Sequence, residues 1–190
     1  MENEFDLTTE AMFKEPMALG DIFAQSGMFP DIKTKAQAAV KILAGKELGL
    51  SPFESMASIY IVNGKLALTS KAMASLVKKS TRYDYEVKVL DDKTCTIIFT
   101  EQGEEDQLMP LGESTFTFLD ASKAELVNKD VWKNYPRNML FARALSNGVR
   151  WYCPQVICGY YTVEEVSDLA EETQASVVEI TEEGEVKKNG

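Results

Sequence analysis

The chain has 190 residues, 45% hydrophobic and 26% charged, with a formal net charge of -10 and no histidine. That length suits one domain with tails better than two domains, and the composition is globular rather than disordered or fibrous. The lack of histidine excludes Ser-His-Asp and Cys-His catalysis, and three cysteines without a C-x-x-C pair leave a structural zinc site short of its usual ligands.

Residues 1–30 are expected to be partly helical or flexible. MENEFDLTTE has neither the basic start nor the apolar stretch of a signal peptide, and no run approaches the roughly 18 apolar residues of a membrane span, so a cytoplasmic protein is expected. Thr34-Lys35-Ala36-Gln37 has the form of a capping box. Ala36, Ala39, Val40 and Leu43 follow at helical spacing until Gly49, which predicts a helix near 34–48. Ser51-Pro52-Phe53-Glu54 combines an N-cap, a proline at the first helical position and a glutamate three residues after the cap, so a short second helix starts there.

Residues 58–62 and 65–68 are β-type runs joined by Asn63-Gly64, which predicts a hairpin because both turn positions need positive φ. Ser70 can cap a helix carrying Lys71, Lys78 and Lys79 on its outer surface. Residues 83–90 and 94–100 alternate and are joined by Asp91-Asp92-Lys93, predicting a second hairpin. The polar stretch 101–113 reads as a loop, with Glu104-Glu105-Asp106 a solvated turn rather than a metal site, before a third strand at 114–119. Asp120 can cap a short helix through Val127. Thr162-Val163-Glu164-Glu165 opens a last helix reaching to about Glu172, and 173–190 reads as an acidic flexible tail. This order predicts a single α+β core over 31–172, with a β-hairpin and a three-stranded antiparallel sheet packed with helices.

Charge is segregated along this order. Residues 1–15 and 163–190 carry net -4 and -7, while 31–83 hold nine bases against three acids and 131–162 four bases against none. Residues 84–130 hold 12 acids against four bases. If the fold unites the basic blocks, an acidic protein acquires a positive face suited to a phosphate backbone; separate solvated helix faces are the alternative.

In WKNYPRNMLFARALSNGVRWYCP (132–154), Pro136 fits the first helical position, and Leu140, Phe141, Ala144, Leu145, Gly148, Trp151 and Tyr152 form one apolar stripe expected to face the core. Arg143, Asn147 and Arg150 line its edge, with Lys133 and Arg137 at the helix entrance. Arginine suits phosphate through its planar fork and persistent charge, although Arg143 and Arg150 could equally pair with Asp84 or Glu86. Trp132 is open to two roles, stacking on a base or anchoring the packing.

The pattern Trp132-x3-Pro136-Arg137-x-Met139-Leu140-x2-Arg143-Ala144-x5-Arg150, followed by Gly159-Tyr160-Tyr161 and Glu164-Glu165, resembles the end of the DNA-binding core in phage single-strand annealing proteins of the RecT/Red-beta family. AVKILAGKELGLSPFESMASIYIV resembles that family's helix, Gly-Leu-x-Pro step and following strand. The resemblance spans roughly residues 36–166. It implies a phage- or prophage-encoded, ATP-independent protein of the bacterial cytoplasm that binds single-stranded DNA, assembles into rings or helical filaments, and anneals complementary strands into duplex without covalent catalysis.

The family's DNA-binding role carries over to Arg137, Arg143 and Arg150, with Lys133, Lys65, Lys71, Lys78 and Lys79 as further contacts. No cofactor is implied beyond non-catalytic assistance by Mg2+. A phage exonuclease or host single-strand-binding protein is the partner class the resemblance raises. Asn138 and Phe141 depart from the pattern, standing where better-known members have bases, and no separate C-terminal partner-binding domain is expected. The acidic balance leaves open a regulatory or inhibitory interaction protein on the same fold with little DNA affinity.

Overall fold

The computed structural model describes residues 4–104, 107–163 and 165–166, of which 4–12 by backbone alone. Glu105 and Asp106, the part beyond Val166 of the helix expected to run to Glu172, and the tail at 173–190 therefore lie outside the described residues. The architecture is α+β, with a three-stranded antiparallel sheet and packed helices. Contacts gather the chain into two compact units. Of the described residues, one comprises those through Gly45, Ser51–Thr69 and those from Tyr161 to Val166; the other comprises Lys46–Leu50 and those of Ser70–Tyr160.

The first unit opens with helix α1 (Glu4–Ser26), so much of the 1–30 segment is helical, and continues with α2 (Lys35–Glu47). The predicted box at Thr34 forms: Thr34 Oγ1 accepts from the Gln37 N–H, and Gln37 Oε1 accepts from the Thr34 N–H. Ser51 and Glu54 make the same reciprocal exchange at the start of α3 (Pro52–Ser58). Strands β1 (Ile59–Val62) and β2 (Lys65–Leu68) pair antiparallel around Asn63-Gly64, whose φ angles of 50° and 75° are those a tight hairpin turn requires. A two-residue strand, Tyr161–Thr162, pairs parallel with β2. At its end, Thr162 and Glu165 exchange reciprocal hydrogen bonds at the predicted helix start. Ile32, Ala38, Ile42 and Met56 form the core of this unit, with Leu19, Phe23, Ala24, Phe29 and Ile61 packed against them.

The second unit begins with α4 (Ser70–Lys79), which buries Ala72, Met73, Leu76 and Val77. The sheet follows: β3 (Tyr83–Leu90), β4 (Thr94–Gln102) and β5 (Leu108–Thr117), in that spatial order and antiparallel throughout. Strand β5 begins well before the expected Ser114. Gly112 and Pro110 read as loop residues in the sequence, but β5 pairs only with β4, and its register shifts where Pro110 stands opposite Thr100. A proline is tolerated at such an irregular edge. The next helix is capped by Thr117 rather than Asp120: α5 (Phe118–Lys123) uses Asp120 as the returning carboxylate of the box. A 3-10 turn at Leu126–Asn128 leads to α6 (Asp130–Asn134) and then to α7 (Pro136–Tyr152).

Helix α7 packs across β4 and β5 and also against α4. Cys95, Ile97 and Phe99 alternate along β4 and are fully buried beneath it. Ser114 Oγ donates to the Ala144 carbonyl, and a Cβ at position 148 would overlap the Phe99 ring, so Gly148 permits this close approach.

Candidate nucleic-acid interface

Helices α4 and α7 carry Lys71, Lys78, Lys79, Arg137, Arg143 and Arg150 and no carboxylate between them. Because the two helices pack on each other, six of the eight expected bases belong to one helical pair. Lys133 sits on α6 in the same unit, while Lys65, at the start of β2, belongs to the other unit.

The buried set of α7 is wider than the predicted stripe. Leu140, Ala144, Leu145 and Gly148 are covered, as expected, but so are Ala142, Ser146 and Val149. At 100° per residue, Arg143, Asn147 and Arg150 fall within about 60° of one another and form the strip left partly open along the middle of the helix. Between Ala142 and Arg150 the helix therefore presents a narrow polar line with its other residues buried, while Arg137, Asn138 and Trp151 are exposed nearer its ends. Arg143 is half-buried with its Nε withdrawn from solvent, and Arg150 Nη2 donates to Asn147 Oδ1 at 3.4 Å.

Both ends of this basic surface carry a carboxylate contact. Exposed Arg137 makes a two-pronged contact with Asp92 in the β3–β4 turn, Nε to Oδ1 at 2.7 Å and Nη2 to Oδ2 at 3.4 Å. Lys78 pairs with Asp84, donates to the Tyr85 carbonyl at 2.8 Å, and lies 4.7 Å from the Tyr85 ring centre. Partial burial works against ionisation of Asp84, but Lys78 and the Tyr85 N–H outweigh it and hold the carboxyl below its usual range. Asp84, one of the acids considered for Arg143 and Arg150, is thus engaged by Lys78. Lys133 lies 3.8 Å from Asp130, one turn earlier. Lys65 and Lys71 are exposed and, among the described residues, have no ion-pair partner.

The structure decides between the two roles open to Trp132 and moves Trp151 out of its expected place. Trp132 is 1% exposed and packs on Phe116 at 6.2 Å, so its ring cannot reach a nucleobase; it is the packing anchor. Trp151, expected in the core stripe, is 60% exposed. Its angle on the helix is that of a core residue, but it stands in the last turn before the Cys153 cap, and helical periodicity does not report where neighbouring elements stop covering a face.

A buried base in the first unit escaped the sequence reading altogether. Lys41 is fully buried, with Nζ 2.9 Å from Asp31 Oδ2 and 3.0 Å from the Met56 carbonyl. Burial lowers its pKa, with Asp31 opposing that shift. Lys41 therefore contributes to the basic count of residues 31–83 without contributing to a surface. The approach of Asp31 over ten residues to a lysine on one helix face is a tertiary pairing with no local signal.

Among the described residues no group of His, Cys, Asp or Glu side chains is placed to hold a metal ion, and no helix is long and apolar enough to cross a membrane. No family model matches the chain, and no curated protein matches its sequence.

Proposed function

We propose that this chain binds single-stranded DNA through the α4–α7 surface and anneals complementary strands without ATP, as its sequence resemblance to the RecT/Red-beta family implies. The observation that carries the reading is the packed pair α4 and α7, with six bases and no acid in a chain of net charge -10. Arg143 and Arg150 are two turns apart on a helix anchored in the core by Leu140, Ala144, Leu145, Gly148 and Val149, so their spacing is fixed before a ligand arrives. Their guanidinium groups neutralise phosphates and release counterions, so affinity falls steeply with salt. Holding the strand by its backbone leaves base edges available to a second strand.

The Arg137–Asp92 and Lys78–Asp84 pairs are solvent-exposed and worth little in themselves, so a phosphate can displace the carboxylate at modest cost. Assembly of several copies into a ring or filament, as the family resemblance implies, extends the line along a strand. The test is annealing of complementary oligonucleotides without ATP at low and moderate salt. Acceleration that weakens with salt supports the reading; unchanged annealing and unchanged oligonucleotide mobility at low salt would overturn it.

A further inference from the structure

The polar line on α7 ends on an aromatic ring that the fold does not use for its core. Trp151 follows Arg150 directly and stands one turn beyond Asn147. A large indole 60% exposed next to Arg150, with Arg143 about two turns back on a helix without acids, is an amphipathic surface suited to a flat π-system attached to an anion.

The ring is also seated. Tyr152 meets it edge-on, with centroids 6.3 Å apart and planes at 87°. Tyr152 in turn packs on buried Phe99 at 5.7 Å and donates its hydroxyl to the Glu113 carbonyl at 3.1 Å. A short aromatic ladder thus runs from the core of the sheet to the surface and ends in Trp151. An aromatic side chain with two torsions, already supported on one side, loses little freedom when a planar partner covers it.

We infer that Trp151 is a stacking platform for an unpaired nucleobase, with Arg150 and Arg143 engaging the flanking phosphates and Asn147 the polar groups between them. This rests on the reading of α7 as a single-stranded DNA surface and adds a base contact to it. Stacking is sequence-tolerant because every base has a π-face, so the platform grips a strand without selecting its sequence. It also requires an unpaired base, which gives the site a preference for single strands over duplex that phosphate contacts alone do not supply.

The experiment compares full-length wild type, Trp151→Ala and Trp151→Phe in binding an oligothymidylate and an abasic oligomer of equal length at low salt. Each protein is also checked for its melting temperature and sedimentation without DNA. The expected result is that Trp151→Ala weakens oligothymidylate binding roughly 5- to 150-fold, leaves abasic binding unchanged, and that Trp151→Phe keeps most of the affinity. Trp151 and buried Trp132 are the two tryptophans of the chain, so oligothymidylate should quench wild-type fluorescence and leave the emission of Trp151→Phe nearly unchanged.

Equal weakening on both oligomers, or no weakening on either, overturns the platform while leaving the DNA-binding reading intact. A change in sedimentation of DNA-free Trp151→Ala with unaltered binding assigns the indole to a contact between copies and overturns it as well. If the wild type binds neither oligomer, the DNA-binding reading fails and the platform falls with it.

Discussion

The ammonium of Lys41 and the carboxylate of Asp31 meet at 2.9 Å, with the lysine fully out of solvent and the aspartate nearly so. The same carboxylate oxygen accepts the Ile61 N–H at 3.1 Å, while Lys41 also donates to the Met56 carbonyl. The rings of Phe29 and Tyr60 lie 5.7 and 5.3 Å from Nζ and complete the surround. The pair thus ties the loop before α2 to α2 itself, to α3 and to the edge strand β1. Desolvation opposes such a pair, so its net contribution is small, but removing one partner strands a buried charge.

Asp31→Asn is expected to cost about 3–5 kcal/mol, because the Lys41 ammonium loses its counter-charge while remaining inside. Lys41→Met should cost less, since Asp31, unlike Lys41, keeps some exposure to water along with the Ile61 N–H. Adding Lys41→Met to Asp31→Asn should then recover stability rather than lose more. Urea unfolding of the three variants measures this; additive losses would show that the two side chains act independently.

The pair also marks the boundary of what the sequence carries. Capping boxes at Thr34 and Ser51, the helix start at Thr162 and the turn at Asn63-Gly64 were legible because each is closed by groups within a few residues, whatever the rest of the chain does. Strand β5 was half-legible: Pro110 and Gly112 argue against a strand, and only its place at a sheet edge makes them acceptable. The acid-free character of α7 was legible, but the exposure of Trp151 and the burial of Trp132 were not. Periodicity gives an angle around the helix, while exposure depends on how far α4 and the sheet extend beside it. Lys41 was hidden for a related reason: nothing within a turn of it announces a carboxylate ten residues away.

Gly148→Ala tests how tightly α7 lies on the sheet. Alanine in place of glycine within a helix is ordinarily worth about 1 kcal/mol. Here the added methyl would overlap the ring of Phe99, which is fully buried and hemmed by Tyr85 and Tyr152 at centroid distances of 6.2 and 5.7 Å. Overpacking of this kind costs about 1–3 kcal/mol, so the propensity gain should be cancelled and a net loss remain. The denaturation midpoint reads the sign directly, and Phe99→Leu in the same chain should relieve part of the loss. A stabilised Gly148→Ala would mean that α7 does not rest on Phe99.

The cysteines give a pH dependence with a definite sign. Burial pushes the Cys95 thiol up to about 11 and the Cys153 thiol up to about 12, from an ordinary value of 9.0. Below pH 9 both states hold these protons and the thiols contribute no slope. Above it the unfolded chain ionises first, so stability should fall as pH rises from 9 toward 11 and 12, at about 1.4 kcal/mol per unit for each thiol. Cys95→Ala should remove part of that slope. At pH 8 a thiol reagent should modify exposed Cys158 quickly and reach Cys95 and Cys153 only after denaturation.

The decisive charges are separable by their salt dependence. Arg150→Ala and Arg143→Ala should each weaken oligonucleotide binding and reduce the slope of log affinity against log salt by about 1, the signature of one lost phosphate contact. Arg143 is half-buried, so its variant also needs a melting curve to separate lost contact from lost packing. Asp92→Asn should act in the opposite direction. It releases Arg137 from its two-pronged partner, leaves every base in place, and removes a negative charge from the phosphate path. Tighter binding and faster annealing at low salt are the expected result, on the order of a few-fold because the pair is exposed and screened by solvent. If Asp92→Asn weakens binding instead, the Arg137–Asp92 contact is part of the recognition surface, and the phosphate path does not run over the entrance of α7.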